Sequence, residues 1–240
     1  MISVCMASRN GENFIKEQIT SILCQLDKND ELIISDDSST DNTISVINSL
    51  TDSRIKLIQH IPKDKEHKYG NGFYYATANF ENALNHASGD IIFLSDQDDL
   101  WYENKVNECV EELKRNDLVL TNFSIIDKDG KKQKDRFLSF NPVNGSLLRT
   151  VATCKMQGCT MAFKRSVLDK ALPFPNDLML HDAWLCLIAK KYFSVSYIDV
   201  PLIFYRRTGT NVSTSSGKSK NPIWFRIFFR LKLLFQILAR

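Results

Sequence analysis

The sequence predicts an α/β protein with a mostly parallel sheet flanked by helices. Two observations carry that expectation. Over the first 120 residues, short apolar runs alternate with segments of helical spacing, the pattern of strands joined by right-handed helical crossovers. The run Ile91-Ile92-Phe93-Leu94 also stops at the acids Asp96, Asp98 and Asp99, as a buried strand does when it ends at a site.

The elements follow in order. Residues 2–7, 31–35, 55–59, 91–95 and 117–123 read as strands, and residues 12–24, 41–50, 74–87 and 102–115 as helices. Phe14, Ile15, Gln18, Ile19, Ile22 and Leu23 form the inner face of the first helix, and Asp41-Asn42-Thr43 is a capping cluster for the second. The second half is less regular. Residues 127–136 form a charged turn, 141–163 mix loop with an apolar patch, and 181–191 make a short helix after Pro173-Phe174-Pro175. Two short strands follow near 194–199 and 202–206, then a Ser/Thr/Gly/Lys-rich stretch, 208–220, expected to be mobile.

Composition narrows the function. A chain of 240 residues can bury one good core. A net charge of +3 gives no argument for nucleic acid. The six cysteines form no CxxC pair, which disfavours zinc and fits reduced thiols in the cytosol. Ile2–Met6 reads as a strand rather than a signal peptide. No GxGxxG follows the first strand, so a dinucleotide oxidoreductase is excluded. A sugar-phosphate nucleotidyltransferase would need a Gly-rich basic loop that Ala7–Gly11 lacks.

The parallel sheet brings Ala7–Asn10, Asp36-Asp37-Ser38-Ser39 and Asp96–Asp99 to one rim. Asp36 and Asp37 can accept hydrogen bonds from a base or ribose. Carboxylates gathered as Asp96-x-Asp98 form either a solvated acidic turn or a site for a hard divalent cation, since Mg²⁺ or Mn²⁺ takes such oxygens while bridging to phosphates. Asp182, at a helix start, is either a general base or an N-cap.

Several segments resemble family 2 glycosyltransferases of the GT-A fold. They are the stretch from Ile2 to Thr43, FLSDQDDLW at 93–101, QGCTMAF at 157–163, HDAW at 181–184 and PLIFYRRTGTN at 201–211, the second in a form common among rhamnosyltransferase-like members. The resemblance covers residues 1–211 in order and implies a Rossmann-like mixed, mostly parallel sheet as one catalytic domain. It implies that Ala7, Ser8, Asn10 and Glu12 line the nucleotide, that Asp36 and Asp37 contact base and ribose, and that Asp96 and Asp98 hold metal and donor diphosphate, with Asp98 the direct ligand. Asp99 is expected to cap a helix, Asp182 to deprotonate the acceptor hydroxyl, and Trp101 and Trp184 either to wall a sugar or to pack.

The chain departs from the family at three positions. Arg9 stands for the usual Tyr, Ser38 for a frequent Gly that would be strained at positive φ, and Thr208 for a common His, leaving Arg206 and Arg207 as candidate diphosphate cations. The implied reaction is an inverting transfer from dTDP-rhamnose or a UDP-hexose to a glycan hydroxyl, with residues 207–220 as a closing loop. The alternative is a non-catalytic, membrane-bound subunit or scaffold.

Residues 212–220 read as a linker, and 221–240 as a basic amphipathic helix. Arg226, Arg230, Lys232, Gln236 and Arg240 fall on one side, and the helix is too charged to span a bilayer. It suits an anionic cytoplasmic leaflet, which would put the enzyme peripherally on the inner face of the cell membrane, beside a lipid-linked acceptor.

Overall fold

A computed structural model describes residues 1–61, 69–209 and 221–240. The 212–220 linker lies outside the described residues, as does most of the 207–220 loop.

The strands are β1 (Ile2–Ser8), β2 (Glu31–Asp36), β3 (Ile55–Gln59), β4 (Ile91–Asp96), β5 (Leu100–Trp101), β6 (Leu118–Asp127), β7 (Lys132–Lys134), β8 (Met161–Lys164) and β9 (Val195–Arg207). The helices are α1 (Ile15–Leu23), α2 (Thr43–Asn48), α3 (Asn71–Asn85), α4 (Lys105–Leu113), α5 (Leu147–Thr153), α6 (Arg165–Ala171), α7 (His181–Tyr192) and α8 (Ile223–Ala239). One sheet runs β3-β2-β1-β4-β8-β6-β9-β5, with β7 added to β6. Its first four strands are parallel, β8 is antiparallel to both β4 and β6, and β9 returns parallel to β6.

The sheet is the middle of three layers. Ile15, Ile19 and Ile22 of α1, Ile47 of α2, and Val106 and Cys109 of α4 cover one face. Phe80 and Leu84 of α3, Val167 and Leu168 of α6, and Trp184–Ala189 of α7 cover the other. Burial on both faces explains why β1, β2 and β4 read as nearly continuous apolar runs. Gly89 permits the turn before β4 to lie against β1, since a Cβ there would meet the Ser3 nitrogen at 2.7 Å.

The register sets the site. Ser8 pairs with Asp36, and Ala7 with Asp96, so the strand ends expected to share a rim do share it. The crevice opens where β1 is flanked by β2 and β4, whose crossovers lie on opposite sides.

The second half differs from expectation. The two strands near 194–206 are one strand, β9, whose pairing with β6 shifts between Thr121 and Ser124, near its Pro201. The charged turn is a hairpin, with β7 paired to the end of β6. α5, α6 and the two-residue β5 were not expected. Asp99 does not cap a helix, because α4 begins at Lys105 after Asn104.

Candidate active site

One cleft of about 1440 Å³ opens at the carboxyl ends of β1 and β4. Ala7, Ser8, Arg9 and Asn10 line it with Asp37, Asp96, Gln97, Asp98, His181 and Asp182. Glu12, Asp36 and Arg206 are not among its lining residues.

The first loop is held from both sides. Gln97 accepts the Arg9 N–H through Oε1 at 2.8 Å and donates Nε2–H to the Arg9 carbonyl at 2.8 Å. The same amide lies against Gly11, where a Cβ would overlap it. Asn10 sits at φ 50°, with its Oδ1 accepting the Thr40 N–H at 2.8 Å. Glu12 accepts both N–H groups of Asn42 through Oε2, tying the loop to the start of α2. Asp36 is 2% exposed and accepts from the Ser8 and Ser39 hydroxyls, so it braces the rim from beneath. Asp37 faces the cleft, paired with Arg9 at 3.2 Å and with His60 Nδ1 at 2.7 Å. His60, just after β3, is therefore a partner of the site. Ser38 has φ 56°, the strained left-handed conformation that the missing glycine would have relieved.

The acidic turn is the electrostatic centre. Burial raises the Asp96 carboxyl to about 6, with the Asp182 charge adding to the rise and the Cys159 thiol and Lys105 opposing it. Burial and the Asp96 charge raise Asp98 to about 7. Asp99 is fully buried and pushed well up by burial and by both neighbouring acids. Its Oδ1 accepts the Arg206 N–H at 3.0 Å, and its Oδ2 has no partner among the described residues. Lys105 lies behind the turn, donating to the Cys159 carbonyl at 2.7 Å, and burial lowers it to about 8.

Arg206 stands beneath the turn rather than in the cleft. Its guanidinium donates to the Asp98 carbonyl at 3.0 Å, to the Lys128 carbonyl at 3.1 Å and to Glu17 at 2.7 Å. At 3% exposure it supports the acidic turn.

Ligand atoms of Asp96, Asp99 and Cys159 lie within 4.8 Å of one another. Burial keeps the Cys159 thiol protonated, and a hard cation prefers oxygen, so the sulfur is a hydrogen-bonding neighbour. Three crowded carboxyls, one with an unpartnered oxygen and all shifted up, fit a divalent cation that would ionise them. Asp96 and Asp98, which face the cleft, are the residues that would hold it.

Asp182 lies in the first turn of α7 and accepts its neighbour Ala183's N–H at 2.7 Å, while Leu180 occupies the N-cap position. Burial raises Asp182 to about 6. His181 stacks on Phe80 at 4.1 Å between ring centres, its Nδ1 is 3.3 Å from the Thr77 hydroxyl, and burial lowers it to about 3. A neutral ring therefore lines the cleft beside the Asp182 carboxyl. Trp184 is fully buried, donating to the Ala171 carbonyl at 3.0 Å, and Trp101 is 4% exposed against Phe93, so both pack.

Sequence reasoning missed Gln97 as a clip, His60 as a partner and α8 as a cleft wall. The adjacency of Gln97 to the two acids was the available signal for the first. The other two depend on long-range contacts with no local trace.

The α8 wall has a definite orientation. Its charged side faces the protein: Arg230 donates to the Ala152 carbonyl, Lys232 to that of Asp177, and Arg240 to those of Lys170 and Leu172. Its outer side carries Trp224, Ile227, Phe228, Leu231, Phe235 and Leu238, all exposed. Among the described residues, no helix is long and apolar enough to cross a membrane.

Comparisons with known proteins agree with this architecture. The chain is 28% identical over 235 residues to the Escherichia coli UDP-Glc:alpha-D-GlcNAc-diphosphoundecaprenol beta-1,3-glucosyltransferase WfgD, covering 93% of this chain and 84% of that one. It is 29% identical over 251 residues to the Shigella flexneri dTDP-rhamnosyl transferase RfbG, covering 92% and 81%. Among solved structures, Staphylococcus aureus TarS with UDP-GlcNAc superposes with a TM-score of 0.70 at 17% identity, over 98% of this chain and 66% of that one. The Pyrobaculum calidifontis mannosyltransferase PcManGT, solved with GDP-Man and Mn²⁺, gives 0.57 at 20% identity, over 99% and 63%. These neighbours share the GT-A fold. The profile of the family described as "Glycosyl transferase family 2" matches residues 3–172, and the chain belongs to that family.

Proposed function

We propose that the protein is an inverting, divalent-metal-dependent glycosyltransferase. It would move one sugar from dTDP-rhamnose or a UDP-hexose to a hydroxyl of a lipid-linked glycan during cell-surface polysaccharide assembly. The observation that carries this reading is the meeting of two carboxylate sets in one cleft: Asp96 and Asp98 from the end of β4 and Asp182 from the start of α7 all line it.

In this reading the first loop and Asp37 orient the nucleotide, and Gln97 keeps that loop rigid. Asp96 and Asp98 hold Mg²⁺ or Mn²⁺, which when bound neutralises charge on the leaving diphosphate. Asp182 takes the proton of the acceptor hydroxyl as its oxygen bonds to the anomeric carbon. The bond from that carbon to the diphosphate oxygen breaks on the opposite face. Support for the donor and acceptor classes comes from the relatives' names, which specify UDP-glucose, dTDP-rhamnose and a diphosphoundecaprenol-linked sugar. The apolar outer face of α8 supports a peripheral position on a membrane surface, and a lipid-linked acceptor would place that surface where the donor nucleotide is, on the inner face.

A nucleotide-sugar panel read by thermal unfolding, with and without Mn²⁺, tests the site. A ligand at 100 times its Kd adds about 2.7 kcal/mol to the folded state. One nucleotide should stabilise the wild type only with metal and leave Asp98→Ala unmoved. No response to any nucleotide would favour a non-catalytic role.

A further inference from the structure

We propose that Arg226 and Arg230 of α8, with Lys155, form an acceptor-phosphate subsite that takes the diphosphate joining the acceptor sugar to its lipid. The inference rests on the glycosyltransferase reading and adds to it a named binding site.

The cleft is larger than one ligand needs. Pockets for single small molecules run to about 300–1,000 Å³, whereas this one holds about 1440 Å³. Its charges are also divided. Its carboxylates, Asp37, Asp96, Asp98 and Asp182, come from the β2 and β4 ends and the start of α7, where the cation Arg9 is paired with Asp37. The charged lining residues elsewhere are all cations: Lys134 of β7, Lys155 after α5, and Arg226 and Arg230 of α8. A carboxylate-lined half repels an anion that brings no metal, so a second, metal-free phosphate group belongs at the cationic half.

The two arginines are one helical turn apart, on the same side of α8. Arg230 is already oriented, donating Nε–H to the Ala152 carbonyl at 2.9 Å and Nη1–H to the Arg226 carbonyl at 2.9 Å. Its Nη2 has no acceptor among the described residues, and Arg226 is exposed with no side-chain hydrogen bond there. Forked donors of this kind match phosphate oxygens.

The position fits a lipid-borne anion. Ile223 lines the cleft and is 72% exposed, so the cleft rim runs directly into the apolar outer face of α8. A diphosphate held by Arg226 and Arg230 would leave its sugar pointing toward Asp182 and its chain leaving over that face.

The test uses the full chain and titration calorimetry with n-decyl diphosphate below its micelle concentration. UDP and dTDP with Mn²⁺ are titrated on the same samples. Arg226→Ala should weaken decyl diphosphate about 10-fold, and Arg226→Ala/Arg230→Ala about 100-fold or more, with nucleotide affinity within about 2-fold of wild type. Because Arg226 makes no side-chain bond to the described chain, its melting temperature should be unchanged, which separates binding from folding.

Undiminished decyl diphosphate binding in the double variant would overturn the proposal, as would a parallel loss of nucleotide affinity. Loss confined to phosphatidylglycerol vesicles, with decyl diphosphate binding intact, would assign the arginines to lipid headgroups and also overturn it. Absence of any Mn²⁺-dependent nucleotide binding in the wild type would overturn the parent reading, and the acceptor assignment with it.

Discussion

Asp182 and Gly158 show how closely single residues define the cleft. Asp182 has its carboxyl raised to about 6 by burial, which suits a base that must be ionised yet basic near neutrality. Its charge is lost as pH falls through that value, so turnover should decline on an acid limb centred near pH 6, read from kcat against pH. Asp182→Asn should lose at least about 100-fold in kcat while retaining metal-dependent nucleotide binding. A variant with full turnover would remove Asp182 from the chemistry. At Gly158, a Cβ would stand 2.8 Å from His181 Nε2, and the ring cannot withdraw because Phe80 stacks on it and Thr77 contacts its other nitrogen. Gly158→Ala should therefore displace the start of α7, costing about 1–3 kcal/mol by denaturant unfolding and lowering kcat more than nucleotide affinity. The gathering of Asp96, Asp98 and Asp182 in one cleft was legible because each acid directly follows an apolar strand or opens a helix whose place in the sheet order was readable. Arg206 was misjudged because its commitments to Glu17 and to the Asp98 carbonyl span 189 and 108 residues of chain.

Elements read well where one signal decided them and poorly where contacts did. β1, β2 and β4 are apolar runs buried on both faces. β9 looked like two strands because Pro201 and the register shift interrupt its pattern, although its pairing to β6 continues beyond them. At the opposite end of the sheet from the cleft, Glu31 ties three segments together. It accepts from Ser3 at 2.5 Å, from the Ser88 N–H at 2.7 Å and from Lys56 at 2.5 Å. Burial raises this carboxyl, but the Lys56, Ser3 and Ser88 donors outweigh burial and hold it at about 2, against 4.5 ordinarily. A depressed folded-state pKa contributes stability above the ordinary value, and that stability disappears as pH falls from 4.5 through 2. The difference is about 3 kcal/mol. Unfolding free energy should fall over that acid window in the wild type, and Glu31→Gln should be less stable at neutral pH and flatter through the window. Equal slopes for the two proteins would exclude Glu31 as the source.

At the scale of the molecule, α8 lines the cleft on one side and carries an exposed apolar face on the other. The helical spacing that puts its charges on one side was legible, but not the direction in which they point. Loop and helix-end carbonyls of Ala152, Asp177 and Lys170 lie beneath it, and such acceptors need donors when covered. The long basic side chains turn inward to supply them, which leaves the apolar side outermost. Membrane contact through α8 would therefore be mainly apolar rather than electrostatic, with a salt dependence weaker than that of a polybasic helix. Removing the whole helix would uncover those carbonyls, so outward substitutions give the cleaner test. Ile227, Phe228 and Leu231 are each more than half exposed, and replacing all three by Ser should leave the melting temperature close to wild type. Binding to phosphatidylglycerol vesicles in a flotation assay should weaken by about 3 kcal/mol or more, roughly 100-fold, from the apolar area withheld from lipid. Undiminished flotation, at 0.1 M and 0.5 M salt alike, would show that the outer face of α8 meets something other than a membrane.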